Sequence, residues 1–375
     1  MQKYSVSPHL VKTVLTCVNT WLCVVFNRLQ LTVIGLLVAV VSSAQPNVYV
    51  VGWEGNNGSF ARFWKNGVLQ DLTDGILPEI IEESKIDKNI VEDDGEVFEI
   101  SIVPITVNDV ATSVFVSEND VYVLGSDRLA SKIWKNGVSQ NEKHLGIAPR
   151  SLFVVENDIY AAGFTRNEQF ISVASLLKND IVHNLTDGAY DAWANTVFVS
   201  GGNIYVVGYE KNEQNVQVAM LWKNGVAQKL TDGTYDAIAV SIYVANNDVY
   251  IAGFMTNEQN VRVAMLWKNG AGHALTAGVN WAQANAVFVS GNDVYIAGYE
   301  RNSQFTSIAK LWKNGVSQDL TDGNAIAEAE SIYVFENDVY VAGNESRIAT
   351  VWKNGVAQKL TDGSINSSAL SVFVK

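Results

Sequence analysis

From residue 47 onward, apolar and polar residues alternate in short runs rich in β-branched and aromatic side chains, separated by clusters of Asn, Asp and Gly. One stretch reads Ser241 to Val244, Val249 to Gly253, Val263 to Trp267 and Ala271 to Leu275, four strands by period and by residue type. The stretch then recurs. An element S-V-F-V-x-x-N-D-V-Y-V-A-G leads through a variable loop to A-x-L-W-K-N-G-V-x-Q-x-L-T-D-G and a second variable loop. The W-K-N-G tetrad starts at Trp64, Trp134, Trp222, Trp267, Trp312 and Trp352, with Leu177-Lys178-Asn179-Asp180 as a degenerate seventh copy. Successive copies are 70, 43, 45, 45, 45 and 40 residues apart.

A period of 40 to 45 residues with four strands per unit is that of a propeller blade, so one ring replaces the two or three domains that 375 residues would otherwise suggest. The expected fold is all-β: a seven-bladed β-propeller with four antiparallel strands, A to D, in each blade. The A to B and C to D turns are tight, the latter built on Asn-Gly, whose residues accept the positive φ of a two-residue hairpin. They share one rim, the bottom. The longer B to C loops and D to A crossings then share the top. The chain ends on an A strand, residues 371–375, with no blade after it, and the repeat region begins at Asn47-Val48-Tyr49-Val50, a B strand with no A strand before it. Pairing these ends completes blade 1 and removes two open sheet edges.

These elements resemble the repeat class that includes WD-repeat and kelch proteins, and also uncharacterised secreted bacterial proteins built from L-W-K-N-G, L-T-D-G and N-D-V-Y-V-A-G. The resemblance covers residues 47–375. It implies the fold and carries no activity, because the Gly-His and Trp-Asp pair is missing and the kelch double glycine is reduced to Ala-Gly or Val-Gly. Propellers host enzymes, lectins and scaffolds alike.

Residues 1–44 read as an export signal. Lys12 and Arg28 precede the apolar run 31–41, and Ser42-Ser43-Ala44 offers a signal peptidase its small residues before Gln45. The alternative is an uncleaved anchor. Both cysteines, Cys17 and Cys23, fall in this segment, so the remainder has no disulfide and no thiol chemistry. Residues 45–375 form a single expected domain, secreted and monomeric. They carry a net charge of −16, against −13 for the whole chain because residues 1–44 contribute +3, which argues against nucleic acid as a partner. No membrane contact beyond the leader is expected.

The copies differ where the crossing enters the A strand. Alanines are fixed at Ala192 and Ala194, Ala237 and Ala239, Ala282 and Ala284, Ala327 and Ala329, while the residues between them change. One register runs Val110, Ala148, Trp193, Ile238, Gln283, Glu328, Ser368; the next runs Thr112, Arg150, Asn195, Val240, Asn285, Glu330, Leu370. Strict alternation puts both registers at the top mouth of the central channel. Trp193, Trp281, Tyr190 and Tyr235 beside Asn195, Gln283 and Asn285, with Glu328, Glu330 and Arg150, make the candidate ligand site, suited to a glycan or a protein segment. The opposing reading is that Trp193 and Trp281 plug the channel. Exposed Trp-Lys pairs of W-K-N-G offer a second candidate surface, but one Trp at a fixed strand position reads better as inter-blade packing, with Leu177 keeping its volume.

The crossing from blade 1 to blade 2 is enlarged to residues 76–110, an acidic insertion with nine carboxylates between residues 79 and 99 against Lys85 and Lys88. It reads either as a lid or docking arm at the top rim or as a solvated excursion. His9, His144, His183 and His273 have no ligand spacing, and no calcium loop is present, so no metal or cofactor is expected. The functional expectation is an exported, non-enzymatic recognition module. The alternatives are an enzyme acting on an extracellular polymer through Asp191, Asp236, Glu328 and Glu330, and a structural surface protein.

Overall fold

The computed structural model describes residues 45–56, 59–70, 72, 109–127, 130–140 and 145–375. The leader (1–44), most of the acidic insertion (residues 76–108) and His144 lie outside them. Among the described residues the unit Pro46–Lys375 holds 28 strands in seven antiparallel sheets of four. The innermost strands are β28 (Ser367–Val374) in blade 1, then β4 (Ala111–Ser117), β8 (Ala148–Val155), β12 (Ala192–Ser200), β16 (Ala237–Ala245), β20 (Ala282–Ser290) and β24 (Ala327–Phe335) in blades 2 to 7. Each touches the innermost strand of the next blade, and β28 touches β4, so the ring is closed.

Closure uses both ends of the chain. β28 pairs with β1 (Val48–Glu54) from Val48↔Val374 to Glu54↔Ser367, and Asn47 and Lys375 exchange backbone hydrogen bonds of 2.6 and 2.9 Å. The innermost strands begin earlier than the residue pattern suggests. β16 starts at Ala237 rather than Ser241, and β28 at Ser367 rather than Ser371, so the Ala-x-Ala crossing is itself strand.

The core lies between blades. Seven buried clusters each join one blade to the next, and each contains one tetrad residue: Trp64, Trp134, Leu177, Trp222, Trp267, Trp312 or Trp352. All six Trp side chains are 0–2% exposed, so they form no binding surface. The indole N–H groups of Trp222, Trp312 and Trp352 have no hydrogen-bond partner, which is why Leu177 can take the same role in blade 3. The neighbouring lysines are engaged within their own blades. Each lies 5.0–5.5 Å from the ring centroid of a B-strand tyrosine, from Lys65 over Tyr49 to Lys353 over Tyr340. Five of them also pair with an aspartate of the B strand, as Lys313 does with Asp293 at 2.7 Å. The Asn-Gly turn closes this bottom hairpin: Asn314 Oδ1 accepts the Val294 N–H at 2.8 Å, and both turn residues have positive φ, 51° and 81°.

Candidate functional site

In every blade the pairing of strands A and B skips one residue. These are Leu370, Thr112, Arg150, Asn195, Val240, Asn285 and Glu330, from blade 1 to blade 7. The second variable register is thus a ring of seven β-bulges. Each bulge lies beside a B-strand glycine that lets the backbones approach: a Cβ on Gly208 would stand 1.9 Å from the Trp193 carbonyl oxygen. The bulge breaks the alternation and turns all seven side chains into a central cavity of about 800 Å³. The expectation that both registers share the mouth is therefore corrected. From the first register only Trp193, Ile238 and Gln283 line this cavity. Glu328 and Ser368 line a smaller one of about 380 Å³ beside it, to which Glu330 and Leu370 also belong.

Below the bulges lies a ring of small residues that latches blades together. The Oγ atoms of Ser113, Ser151, Ser241, Ser331 and Ser371 each accept a backbone N–H from the next blade at 2.9–3.3 Å. Thr196 donates to Val240 O at 2.6 Å, and Ala286 interrupts the series. Deeper still, Phe115, Phe153, Phe198, Tyr243, Phe288, Tyr333 and Phe373 form a closed ring with neighbouring centroids 4.6–5.3 Å apart. Their interplanar angles of 44–59° scatter around the value of about 51° that seven-fold rotation imposes, so the rings stand parallel to the channel axis like vanes. Burial pushes the Tyr333 phenol up to about 12 and raises that of Tyr243.

The upper wall is electrically divided. On the side of blades 5 to 7 a hydrogen-bond chain runs in one direction: Arg262 Nη1 donates to Gln283 Oε1 (3.4 Å), Gln283 Nε2 to Asn285 Oδ1 (2.7 Å), and Asn285 Nδ2 to Glu330 Oε2 (3.1 Å). Burial, with a smaller contribution from the charge of Glu328, pushes the Glu330 carboxyl up to about 7. Glu328 Oε1 accepts from Ser307 Oγ at 3.2 Å. On the side of blades 3 and 4, the Arg150 guanidinium lies 4.2 Å from the Trp193 ring centroid, and Trp193 stacks on Phe164 at 4.8 Å and 6°. Asn195 Nδ2 is spent on Ala239 O.

The candidate residues thus separate into groups. Arg150, Trp193, Asn195, Gln283, Asn285 and Glu330 come together around the cavity, with Glu328 next to it. Trp281, Tyr190 and Tyr235 do not line it. They are part-exposed on the top crossings, with Tyr190 in a separate groove and the Trp281 ring approached by Arg262 and Arg301 at 5.2 and 5.3 Å. Trp193 is held among Phe164, Tyr209 and Arg150, not presented as a free platform. Asp191 and Asp236 are structural, their Oδ1 atoms accepting the backbone N–H of Ser172 and Gln217. Asp187 and Asp232 close their own turns by accepting from Ala189 and Thr234. Sequence reading missed Gln217 and Arg262, which reach the cavity from the C strand. The signal was present: the first C-strand position runs Ser172, Gln217, Arg262, Ser307 across otherwise similar copies.

No family model matches the chain, and no curated protein matches it. Among solved structures, YjhT aligns with a TM-score of 0.41 and 11% identity over 71% of this chain and 97% of its own. The β-propeller domain of the Trilobed protease from Pyrococcus furiosus aligns with 0.38 and 13% over 57% and 71%, and a thermostable family-43 glycoside hydrolase with 0.34 and 11% over 56% and 92%. The activities in these names belong to those proteins.

Proposed function

We propose that this protein is an exported, non-enzymatic recognition module that takes a sugar-sized polar ligand, free or at the end of a larger glycan or protein chain, into its central cavity. The observation that carries this reading is where the copies vary. Core, turns and lower rim repeat from blade to blade, whereas the bulge ring presents Thr, Arg, Asn, Val, Asn, Glu and Leu to a single space of about 800 Å³. That volume is in the range of small-molecule sites, and the wall mixes amides and opposite charges with apolar surface. The leader reading of residues 1–44 supports export. A second reading, hydrolysis of an extracellular polymer, is favoured by one feature, the adjacent carboxyls Glu328 and Glu330 with the latter raised toward neutrality.

Calorimetric titration of a saccharide and short-peptide panel tests the proposal, using the wild type beside Val240→Trp, which fills the cavity, and Tyr235→Ala, on a crossing outside the cavity wall. The expected result is a ligand lost in Val240→Trp and retained in Tyr235→Ala. Binders indifferent to Val240→Trp overturn it. Turnover of a bound glycan, abolished by Glu330→Gln, selects the enzymatic reading instead.

A further inference from the structure

Arg150 differs from every other group in the bulge ring. The equivalent residues are neutral or acidic, so the scaffold does not require a cation here. Among the described residues no carboxylate lies within ion-pair distance of its guanidinium. Two part-buried cations elsewhere are matched, Arg62 by Glu54 at 2.8 Å and Lys310 by Glu300 and Asp319 at 3.1 and 2.8 Å, whereas Arg301 also has no carboxylate partner among the described residues, but it does not line the cavity. Arg262, the other cavity cation, is engaged by Gln283.

The arrangement around Arg150 is also built. The Arg150 guanidinium carbon lies over the Trp193 ring, itself stacked on Phe164, so one side of the group is covered, and its N–H edge has no hydrogen-bond acceptor among the described residues. That edge matches the two oxygens of an oxyanion, a recognition that the point charge of lysine does not reproduce. Arg150 as a residue remains exposed, while desolvation by the cavity walls lowers the pKa of its guanidinium, and no counter-charge among the described residues offsets this. Across the channel, Glu330 has an acceptor facing the same space. When ionised it repels a second anionic group, and in either protonation state its carboxyl accepts hydroxyls.

We infer that Arg150 is the anchor for an oxyanion on the ligand, so that the central cavity selects hydroxylated acids, with the anionic group on blade 3 and the hydroxyl-bearing end toward Glu330. This rests on the cavity reading above. A carboxylate and a phosphate ester share the required chemistry, and the experiment separates them.

The probes are sodium glucuronate, glucose 6-phosphate and glucose, titrated at constant ionic strength into wild type, Arg150→Gln, Arg150→Lys and Val240→Trp. The expected result is that wild type binds at least one acid tenfold or more tighter than glucose. Arg150→Gln removes that preference at unchanged melting temperature, and Arg150→Lys recovers little of it. Whichever acid shows the preference assigns the source. Equal affinity for acid and neutral sugar, an acid preference that survives Arg150→Gln, or no binding of either acid overturns the inference. Binding lost in Val240→Trp but indifferent to Arg150→Gln removes the oxyanion and leaves the cavity reading standing. Binding indifferent to both removes the two together.

Discussion

The glycine beside each bulge makes a demand that can be measured at Gly298. Its φ lies outside the left-handed region, so alanine is acceptable to the local backbone. Space is the obstacle: an added Cβ would stand 2.0 Å from the Gln283 carbonyl oxygen and 3.0 Å from Ala284 Cα, where ordinary contact begins at 3.4 Å. The two strands must part by more than an ångström in the middle of a sheet. Overpacking of this kind costs about 1–3 kcal/mol, and a weakened ladder hydrogen bond adds about 1 kcal/mol. We take roughly 3 kcal/mol. For a unit of about 330 residues the unfolding entropy is about 0.7 kcal/mol per kelvin, so the melting temperature falls by about 4 °C. Gly315 in the same blade is the control, having φ +81° and nothing within 4 Å of an added Cβ. There alanine costs only backbone conformation, about 1 kcal/mol, or 1–2 °C. Scanning calorimetry of Gly298→Ala and Gly315→Ala decides the matter. If Gly315→Ala is as damaging as Gly298→Ala, close approach at the bulge is not what the glycine provides.

Other consequences follow from the cavity wall. Ala286 breaks the series of inter-blade hydroxyls, so Ala286→Ser should let Oγ accept the Ile332 N–H and stabilise by about 1 kcal/mol, while Ser241→Ala loses a similar amount; a melting temperature unmoved or lowered by Ala286→Ser counts against the latch. Glu330 has its folded pKa raised from 4.5 to about 7, so the folded state holds the proton more tightly than the unfolded chain. Stability then declines as pH rises from about 4.5 to 7, by about 3 kcal/mol at most and less where water reaches the cavity. Glu330→Gln should flatten urea midpoints across that window; profiles that stay parallel to wild type would show that the carboxyl is well solvated.

Much of the fold was legible because the chain states it repeatedly. The fixed Trp, the Asn-Gly turn and the unmatched strands at the two ends specify blade number and closure, each by local chemistry. The site was legible in outline only. Variation among copies identified Asn195, Asn285, Glu330 and Arg150, but strict alternation gave no reason to separate them from Glu328. The separation comes from the bulge, which belongs to a strand pair and not to either strand. Gly208 and its counterparts marked the place, since a strand glycine signals a bulge or close approach. The partners of Trp193 were not legible. Phe164 and Arg150 reach it from another blade, 29 and 43 residues earlier in the chain. Trp281, by contrast, precedes its strand, and a residue on a crossing follows the loop's geometry in place of the sheet's.

The clasp of blade 1 also decides how the molecule answers tension. β1 and β28 are antiparallel, and Val48 and Val374 sit at the same end of the ladder. A force between residues 45 and 375 therefore meets the rungs in sequence, beginning with the pair formed by Asn47 and Lys375, and peels the seam open. Shear across all the rungs at once would require the two strands to be pulled from opposite ends. The other six blades are each made from continuous chain and bear none of this load at first, so the ring parts at one seam while they stay folded. Tethered by one terminus alone, the protein keeps that seam unloaded.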